Sequence, residues 1–309
     1  MTREPVVSII TPAYNAAPFI GETARSVLQQ TFTGWEWIVV DDGSTDETCA
    51  IVEALQDPRI RLIRAEHSGL PAVARNRGVA EARGAYIAYL DADDLWLPEK
   101  LTLQIAAFTD DIGVVLCEFQ YLYGSSLRER PFPDLRGVPN PGDMFSALSF
   151  ANFICNSTVV VRRTLLDAHG AMDEDPRQRG TEDYELWLRL AAVTQFACVT
   201  RPLVWYRIHP HGVSRNARAI TEGRILALEK AMTRRATIHP QLRGNGLAGW
   251  QAHWRGVAQS YDGADDRGRR QFIRALRLRP HIRSLAGLLL SFLGPAINRR
   301  VRRLAERML

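Results

Sequence analysis

Lysine is almost missing from this chain. Of its 39 basic residues only Lys100 and Lys230 are lysines, and the others are arginines. Cysteine is scarce too: Cys49, Cys117, Cys155 and Cys198 lie far apart, with no CxxC pair and no Cys/His cluster. That spacing argues against structural zinc and for four buried thiols in a reducing cytoplasm. Long apolar runs are absent, since the longest, Ser284 to Ile297, has about 14 residues where a spanning helix needs about 20. Residues Met1 to Pro5 lack the apolar core of a signal peptide, so a cytoplasmic chain is expected. Glycine-rich phosphate loops are missing as well. No GxxxxGK[ST] occurs, and Thr11-Pro12-Ala13-Tyr14-Asn15 stands where a GxGxxG would follow the first strand. P-loop chemistry is thereby excluded and dinucleotide binding disfavoured.

What the chain does contain is an uneven distribution of charge. The net charge of +5 over 309 residues averages two unlike parts. Residues 1–200 hold 17 Lys+Arg against 28 Asp+Glu, a balance of −11, whereas residues 201–309 hold 22 against 6, a balance of +16. With 46% hydrophobic residues the chain is globular, and its length suits one large or two modest domains.

The first 120 residues alternate short β-branched runs with helical patterns. Val6–Thr11, Trp37–Asp41, Ile60–Ala65, Ala85–Leu90 and Gly113–Phe119 read as strands. Phe19–Gln30, Thr45–Leu55, Leu70–Ala82 and Pro98–Phe108 read as the helices between them. Ser44 and Glu47 have capping-box spacing, and Pro98 suits a first helical position. This rhythm predicts an α/β fold with a mainly parallel sheet. Residues 124–142, rich in Gly, Pro, Arg and Ser, read as a long loop. Strands are expected at Thr158–Arg162 and Leu203–Ile208, with a helix over Thr181–Ala192. From Ala217 the pattern is helical throughout: about 217–237, 240–260, 265–279, 282–293 and 296–308.

Ligands of open α/β sheets bind beyond the carboxyl ends of the strands. There the sequence places Asp41-Asp42-Gly43-Ser44 after the second strand and Asp91-Ala92-Asp93-Asp94 after the fourth. The first group also suits a turn and helix entry. Three acids in four residues are harder to explain as capping, because like charges raise one another's pKa. A divalent cation relieves that repulsion. Mg²⁺ typically takes one or two carboxylates and leaves substrate phosphates to complete its shell, and Mn²⁺ favours similar oxygen ligands.

The segments VSIITPAYN (7–15), VVDDGSTD (39–46), ARNRG (74–78) and YLDADD (89–94), in this order, resemble glycosyltransferase family 2. The likeness is close over about residues 6–120 and looser to about 210. It implies a GT-A fold, a Rossmann-like sheet flanked by helices, and an inverting transfer from a nucleotide-diphosphate sugar. It further implies that Pro12 and Tyr14 line the nucleobase, Asp42 accepts a hydrogen bond from a pyrimidine N–H, and Asp41 supports the loop. Arg75 resembles a nucleotide-contacting arginine, and its other reading is a solvated helix charge. Asp91 and Asp93 resemble the D-x-D pair that shares Mn²⁺ or Mg²⁺ with the donor, Asp93 being the more direct metal ligand. Asp94 fits either that role or the holding of the loop.

A second acidic motif follows at Gly180-Thr181-Glu182-Asp183-Tyr184. Acids in a first helical turn favour the macrodipole, and that alone would account for them. The pair also resembles the family's E-D motif. By that resemblance Asp183 is the general base that takes the acceptor hydroxyl's proton, and Glu182 orients the acceptor or the loop. His209, in Trp205-Tyr206-Arg207-Ile208-His209, is the remaining candidate metal ligand.

Three readings follow for the cationic last third. Arginines interleaved with leucines suit an anionic membrane surface at the inner face of the plasma membrane, or a solvated bundle. Nucleic acid is not expected, for no recognition motif or stacking platform accompanies the charge. The expected organisation is a catalytic domain over 1–215, its nucleotide-sugar half ending near 120 and its acceptor half covering 121–215, followed by a basic helical region over 216–309. The expected reaction moves a sugar from a UDP-, dTDP- or GDP-sugar to a glycan or lipid-linked acceptor in cell-envelope synthesis. A sugar nucleotidyltransferase is the alternative enzyme, but it needs a glycine-rich basic loop after the first strand. A non-catalytic nucleotide-sugar-binding scaffold is the alternative outside enzymes.

Overall fold

A computed structural model describes residues 4–128, 144–150, 152–210, 217–238, 245–261, 265–278 and 282–290. The expected helix at 296–308 and most of the expected loop at 124–142 lie outside these residues. The chain forms two compact units. The first comprises residues 1–144, 153–174 and 193–212, and the second 145–152, 175–192 and 213–309.

The first unit is built on a nine-stranded mixed sheet. Its strands are β1 (Val7–Ala13), β2 (Trp35–Asp41), β3 (Ile60–Arg64), β4 (Tyr86–Tyr89), β5 (Leu95–Trp96), β6 (Ile112–Tyr123), β7 (Ser126–Arg128), β8 (Val160–Arg162) and β9 (Gln195–Arg207). The order is β3-β2-β1-β4-β8-β6-β9-β5, with β7 paired to β6. Strands β3, β2, β1 and β4 run parallel, as the alternating pattern predicts. Antiparallel β8 then joins β4 to β6, and β9 runs parallel to β6. Strands β1, β2, β4 and β9 therefore all point the same way, and their carboxyl ends share one edge.

Helices α1 (Ala17–Leu28), α2 (Thr48–Glu53), α3 (Pro71–Ala80), α4 (Lys100–Ala106) and α6 (Arg163–His169) accompany the sheet, while α5 (Met144–Phe150) leads into the second unit. The core beneath α1 is apolar, with Val7, Ile9, Ile20, Val27, Trp37, Val39 and Leu101 fully buried. Gly78 allows α3 to lie close to the sheet: a Cβ there would come within 2.7 Å of Ile10 Cγ2.

Some local expectations change. The Ser44–Glu47 capping box does not form, because the Ser44 hydroxyl accepts from Asn15 N–H and helix α2 begins only at Thr48. Asp46 receives the Thr48 N–H instead. Pro98 lies in the turn before α4, not inside it. No disulfide joins the cysteines, but only Cys49 and Cys117 are buried, and Cys155 and Cys198 are partly exposed.

The second unit is helical: α7 (Glu182–Leu190), α8 (Ala217–Ile238), α9 (Asn245–Tyr261), α10 (Asp265–Leu278) and α11 (Ile282–Leu290). Buried Glu185 of α7 pairs with Arg189 at 2.6 Å and with Arg234 of α8. Among the described residues no helix is long and apolar enough to cross a membrane.

Candidate active site

Three chain segments meet at the carboxyl edge of β1 and β2. The backbone after β1 turns at Asn15, whose φ of 48° lies in the left-handed region that asparagine tolerates. Asn15 N–H donates to Ser44 Oγ at 2.9 Å, and Asn15 Oδ1 accepts from Thr45 N–H at 2.8 Å. This exchange ties the Pro12–Tyr14 segment to the Asp41–Ser44 turn. Gly43 has φ 77°, and a Cβ there would meet His67 Cβ at 3.0 Å, so both conformation and space demand glycine.

Within this corner the predicted base-binding residues take distinct places. Pro12 is half-buried in β1 beside Val40. Tyr14 is 49% exposed, its ring stacked on His67 with centroids 4.2 Å apart. Asp41 is buried and accepts from Ser44 N–H at 3.1 Å. Asp42 is also buried and holds the turn at 67–69. Its Oδ1 accepts from Ser68 N–H and Oγ–H at 2.8 and 2.9 Å, and its Oδ2 accepts from Gly69 N–H at 2.9 Å. Asp42 and Val73, with Arg64, Glu66 and Arg77, line a cleft of about 440 Å³.

The carboxylate loop after β4 is the second half of the site. Buried Arg75 of α3 donates to Asp91 Oδ1 at 2.7 Å, and Asn156 Nδ2 donates to the same oxygen at 3.1 Å. Asp91 Oδ2 has no hydrogen-bond partner among the described residues. Arg75 is thus no solvated helix charge; it is a buried partner of the loop. Asp93 Oδ2 meets His209 Nε2 at 2.7 Å, bringing together residues 116 positions apart. The parallel run of β9 beside β6 delivers His209 to this edge. Burial, and next the charge of Asp91, push the Asp93 carboxyl above its usual range against the pull of His209.

Asp94 is wholly buried and faces into the loop. It accepts from Ser157 Oγ–H at 2.5 Å and from Arg207 N–H at 2.9 Å. Burial and then repulsion by Asp93 and Asp91 push its carboxyl well above the ordinary range. Thr23 of α1 donates its hydroxyl to the carbonyls of Ala92 and Asp94 at 2.9 and 3.0 Å. Sequence reasoning misses Asn156 and Ser157, which lie in a short 3₁₀ turn with no local catalytic signature. It also gives no role to Arg207, although this residue donates to Asp93 O at 2.8 Å and pairs with Glu22 at 2.5 Å.

In the second unit, Glu182 and Asp183 open α7 after Gly180, whose φ is 81°. Glu182 is buried and accepts from Gly180 N–H at 2.5 Å. Asp183 is half-buried, and its Oδ1 accepts from Tyr184 N–H at 2.6 Å. Tyr184 is fully buried and donates its hydroxyl to Leu148 O at 2.7 Å, fixing the helix start.

Among the described residues no three His, Cys, Asp or Glu side chains converge as a complete metal cage. The residues present nevertheless suit a cation whose shell a substrate completes. Asp91 and Asp93 repel each other, and Asp91 keeps one oxygen unbonded.

A parallel β3-β2-β1-β4 half-sheet with acids at its carboxyl edge defines an α/β protein of the GT-A type. The sequence matches the family model for Glycosyl transferase family 2 over residues 8–170, and the chain belongs to that family. It is a glycosyltransferase. The chain is 33% identical over 214 residues to the Escherichia coli UDP-Glc:alpha-D-GlcNAc-diphosphoundecaprenol beta-1,3-glucosyltransferase WfaP, covering 68% of this chain and 80% of that protein. It is 33% identical over 261 residues to the succinoglycan biosynthesis protein ExoO of Rhizobium meliloti, covering 78% and 74%. Its fold resembles that of the Pyrobaculum calidifontis mannosyltransferase PcManGT in complex with GDP-Man and Mn²⁺, with a TM-score of 0.58 at 19% identity over 98% and 88% of the two chains.

Proposed function

We propose that this enzyme transfers a sugar, with inversion, from a UDP-, dTDP- or GDP-sugar to a hydroxyl of a lipid-linked glycan. The work would belong to cell-envelope polysaccharide synthesis at the inner face of the plasma membrane. The observation that carries the reading is the convergence of Asp91, Arg75 and Asn156 with Asp93 and His209 at the carboxyl edge of β4. WfaP acts on a diphosphoundecaprenol-linked sugar, which supports the acceptor class.

Tyr14 offers an exposed aromatic face to the base, and its ring partner His67 adjoins Asp42, which lines the cleft. Asp42 is already committed to Ser68 and Gly69, with His67 Nδ1 3.2 Å from its second oxygen, so its part in base recognition is to hold that turn. Asp91 and Asp93 would hold Mn²⁺ or Mg²⁺ together with the donor's phosphates, and His209 would steady Asp93. Bound there, the ion would neutralise the leaving diphosphate. Arg75 and Asn156 keep the Asp91 carboxylate aimed. Asp183 would take the acceptor proton, because it is the more exposed acid of its pair, while Glu182 is occupied by Gly180 N–H.

The test is thermal stabilisation of the purified chain by UDP, dTDP and GDP, each with and without Mn²⁺. One nucleotide should raise the melting temperature only when metal is present, and Asp91→Asn should abolish the rise. Stabilisation by none of the three, or stabilisation that needs no metal, would overturn the reading.

A further inference from the structure

The cationic last third is not absorbed by sugar transfer, and its exposed side chains are sorted by chemistry. Helix α10 buries Gly268, Phe272 and Ala275, with Phe272 wholly enclosed and within reach of Gly256 on α9 and Gly287 on α11. Its opposite face exposes Arg267, Arg270, Ile273, Arg274 and Arg277. These positions recur at helical spacing, and none of the four arginines has an ion-pair partner among the described residues. Helix α11 buries Ser284 and Gly287 and exposes Leu285, Ala286 and Leu289, the two leucines being 41% and 60% accessible.

Unpaired arginines on α10 and exposed leucines on α11, the next helix in the chain, are costly in water on both counts. The leucines leave apolar area hydrated, and the arginines repel one another with no acid between them. One environment satisfies both: the boundary of an anionic bilayer. Leucines there enter the acyl region, and guanidinium groups meet lipid phosphates at the level of the headgroups. We propose that the exposed faces of α10 and α11 form a docking surface for anionic lipid bilayer. Charge complementarity selects this occupant over a second copy of the chain, which would set arginine against arginine. The choice of a lipid partner rests on the lipid-linked acceptor reading, whereas the surface itself belongs to the second unit alone.

Flotation of the full chain with vesicles tests this. Binding to phosphatidylcholine–phosphatidylglycerol vesicles (70:30) should exceed binding to pure phosphatidylcholine at least about tenfold and fall as salt is raised. The double variants Leu285→Ser/Leu289→Ser and Arg270→Gln/Arg274→Gln should each lower partitioning by about tenfold or more. The substituted side chains are exposed, so melting temperatures should stay near the parent value. Equal binding to both vesicle types, or variants that float like the parent, would overturn the proposal. So would a dimer, seen by light scattering, that the leucine variants dissolve. Sugar transfer to a soluble acceptor without any flotation would sink the docking surface alone. Flotation without metal-dependent nucleotide binding would instead sink the assigned reaction.

Discussion

The Ser157 hydroxyl donates to Asp94 Oδ2 at 2.5 Å and accepts from Asp91 N–H at 3.0 Å, while its carbonyl accepts from Trp96 Nε1–H at 2.9 Å. One side chain thus holds both ends of the Asp91–Asp94 loop inside a fully buried turn. Ser157→Ala would leave a buried carboxyl short of a donor and a backbone N–H without its acceptor. A stability loss of roughly 2–4 kcal/mol is expected, measured by denaturant unfolding, together with weaker metal-dependent nucleotide binding. An unchanged unfolding midpoint would mean that the loop is held elsewhere. The motif Asp91-Ala92-Asp93-Asp94 is legible in the sequence as a carboxylate cluster. Which of its acids faces outward is not, because that depends on Ser157 and Arg207, 63 and 113 positions downstream of Asp94.

At the scale of the element, α4 carries an unusual burden. Lys100, one of two lysines in the chain, is fully buried, its Nζ 3.8 Å above the Trp96 ring and without a hydrogen-bond partner among the described residues. Burial lowers its pKa from the ordinary 10.5 to about 8. The unfolded chain therefore keeps this proton to higher pH than the folded one. Below pH 8 both states are charged and the folded state bears the full cost, and stability rises as pH climbs from about 8 to 10.5. Lys100→Met should accordingly stabilise the protein at pH 7 by up to roughly 3 kcal/mol, and by progressively less toward pH 10. Melting temperatures across that range would show it, and a gain that does not shrink with pH would refute it.

Elements with a strong local signal are readable from their own residues. The parallel strands β1 to β4 and helices α8, α10 and α11 match their predicted spans within a few residues. Strand β9 has a strand-like pattern only from Leu203 but begins at Gln195, since its first half is held by pairing with β6. The two-residue strand β5 exists only because β9 lies beside it.

On the scale of the whole molecule, the residues proposed for donor and metal, Tyr14, Asp42, Arg75, Asp91, Asp93 and His209, belong to the first unit, and the proposed base Asp183 and its neighbour Glu182 to the second. Asp183→Asn should therefore leave metal-dependent nucleotide binding intact and lower kcat for transfer by roughly 10²–10⁴-fold. Calorimetric titration and a transfer assay would measure the two separately, and lost nucleotide binding would reassign Asp183. The charge division follows similar lines. The acids at strand ends stand in the first unit, and the exposed arginines of α10 stand in the second.

Neighbouring residues alone dictate the alternating strands and helices, the acids at strand ends, the family and the excess of arginine in the last third. Each of these is written in periodicity, turn chemistry and composition, all of which act over a few positions. Other features arise only once the chain has folded: Arg75 becomes a buried partner of Asp91, Asp94 turns inward, and Asp93 meets His209. The exposure of the α11 leucines, with that of the α10 arginines, is of the same kind. These outcomes depend on pairing and burial between segments distant in the chain. Local pattern carries no information about which of several acids or arginines will be enclosed when such segments meet.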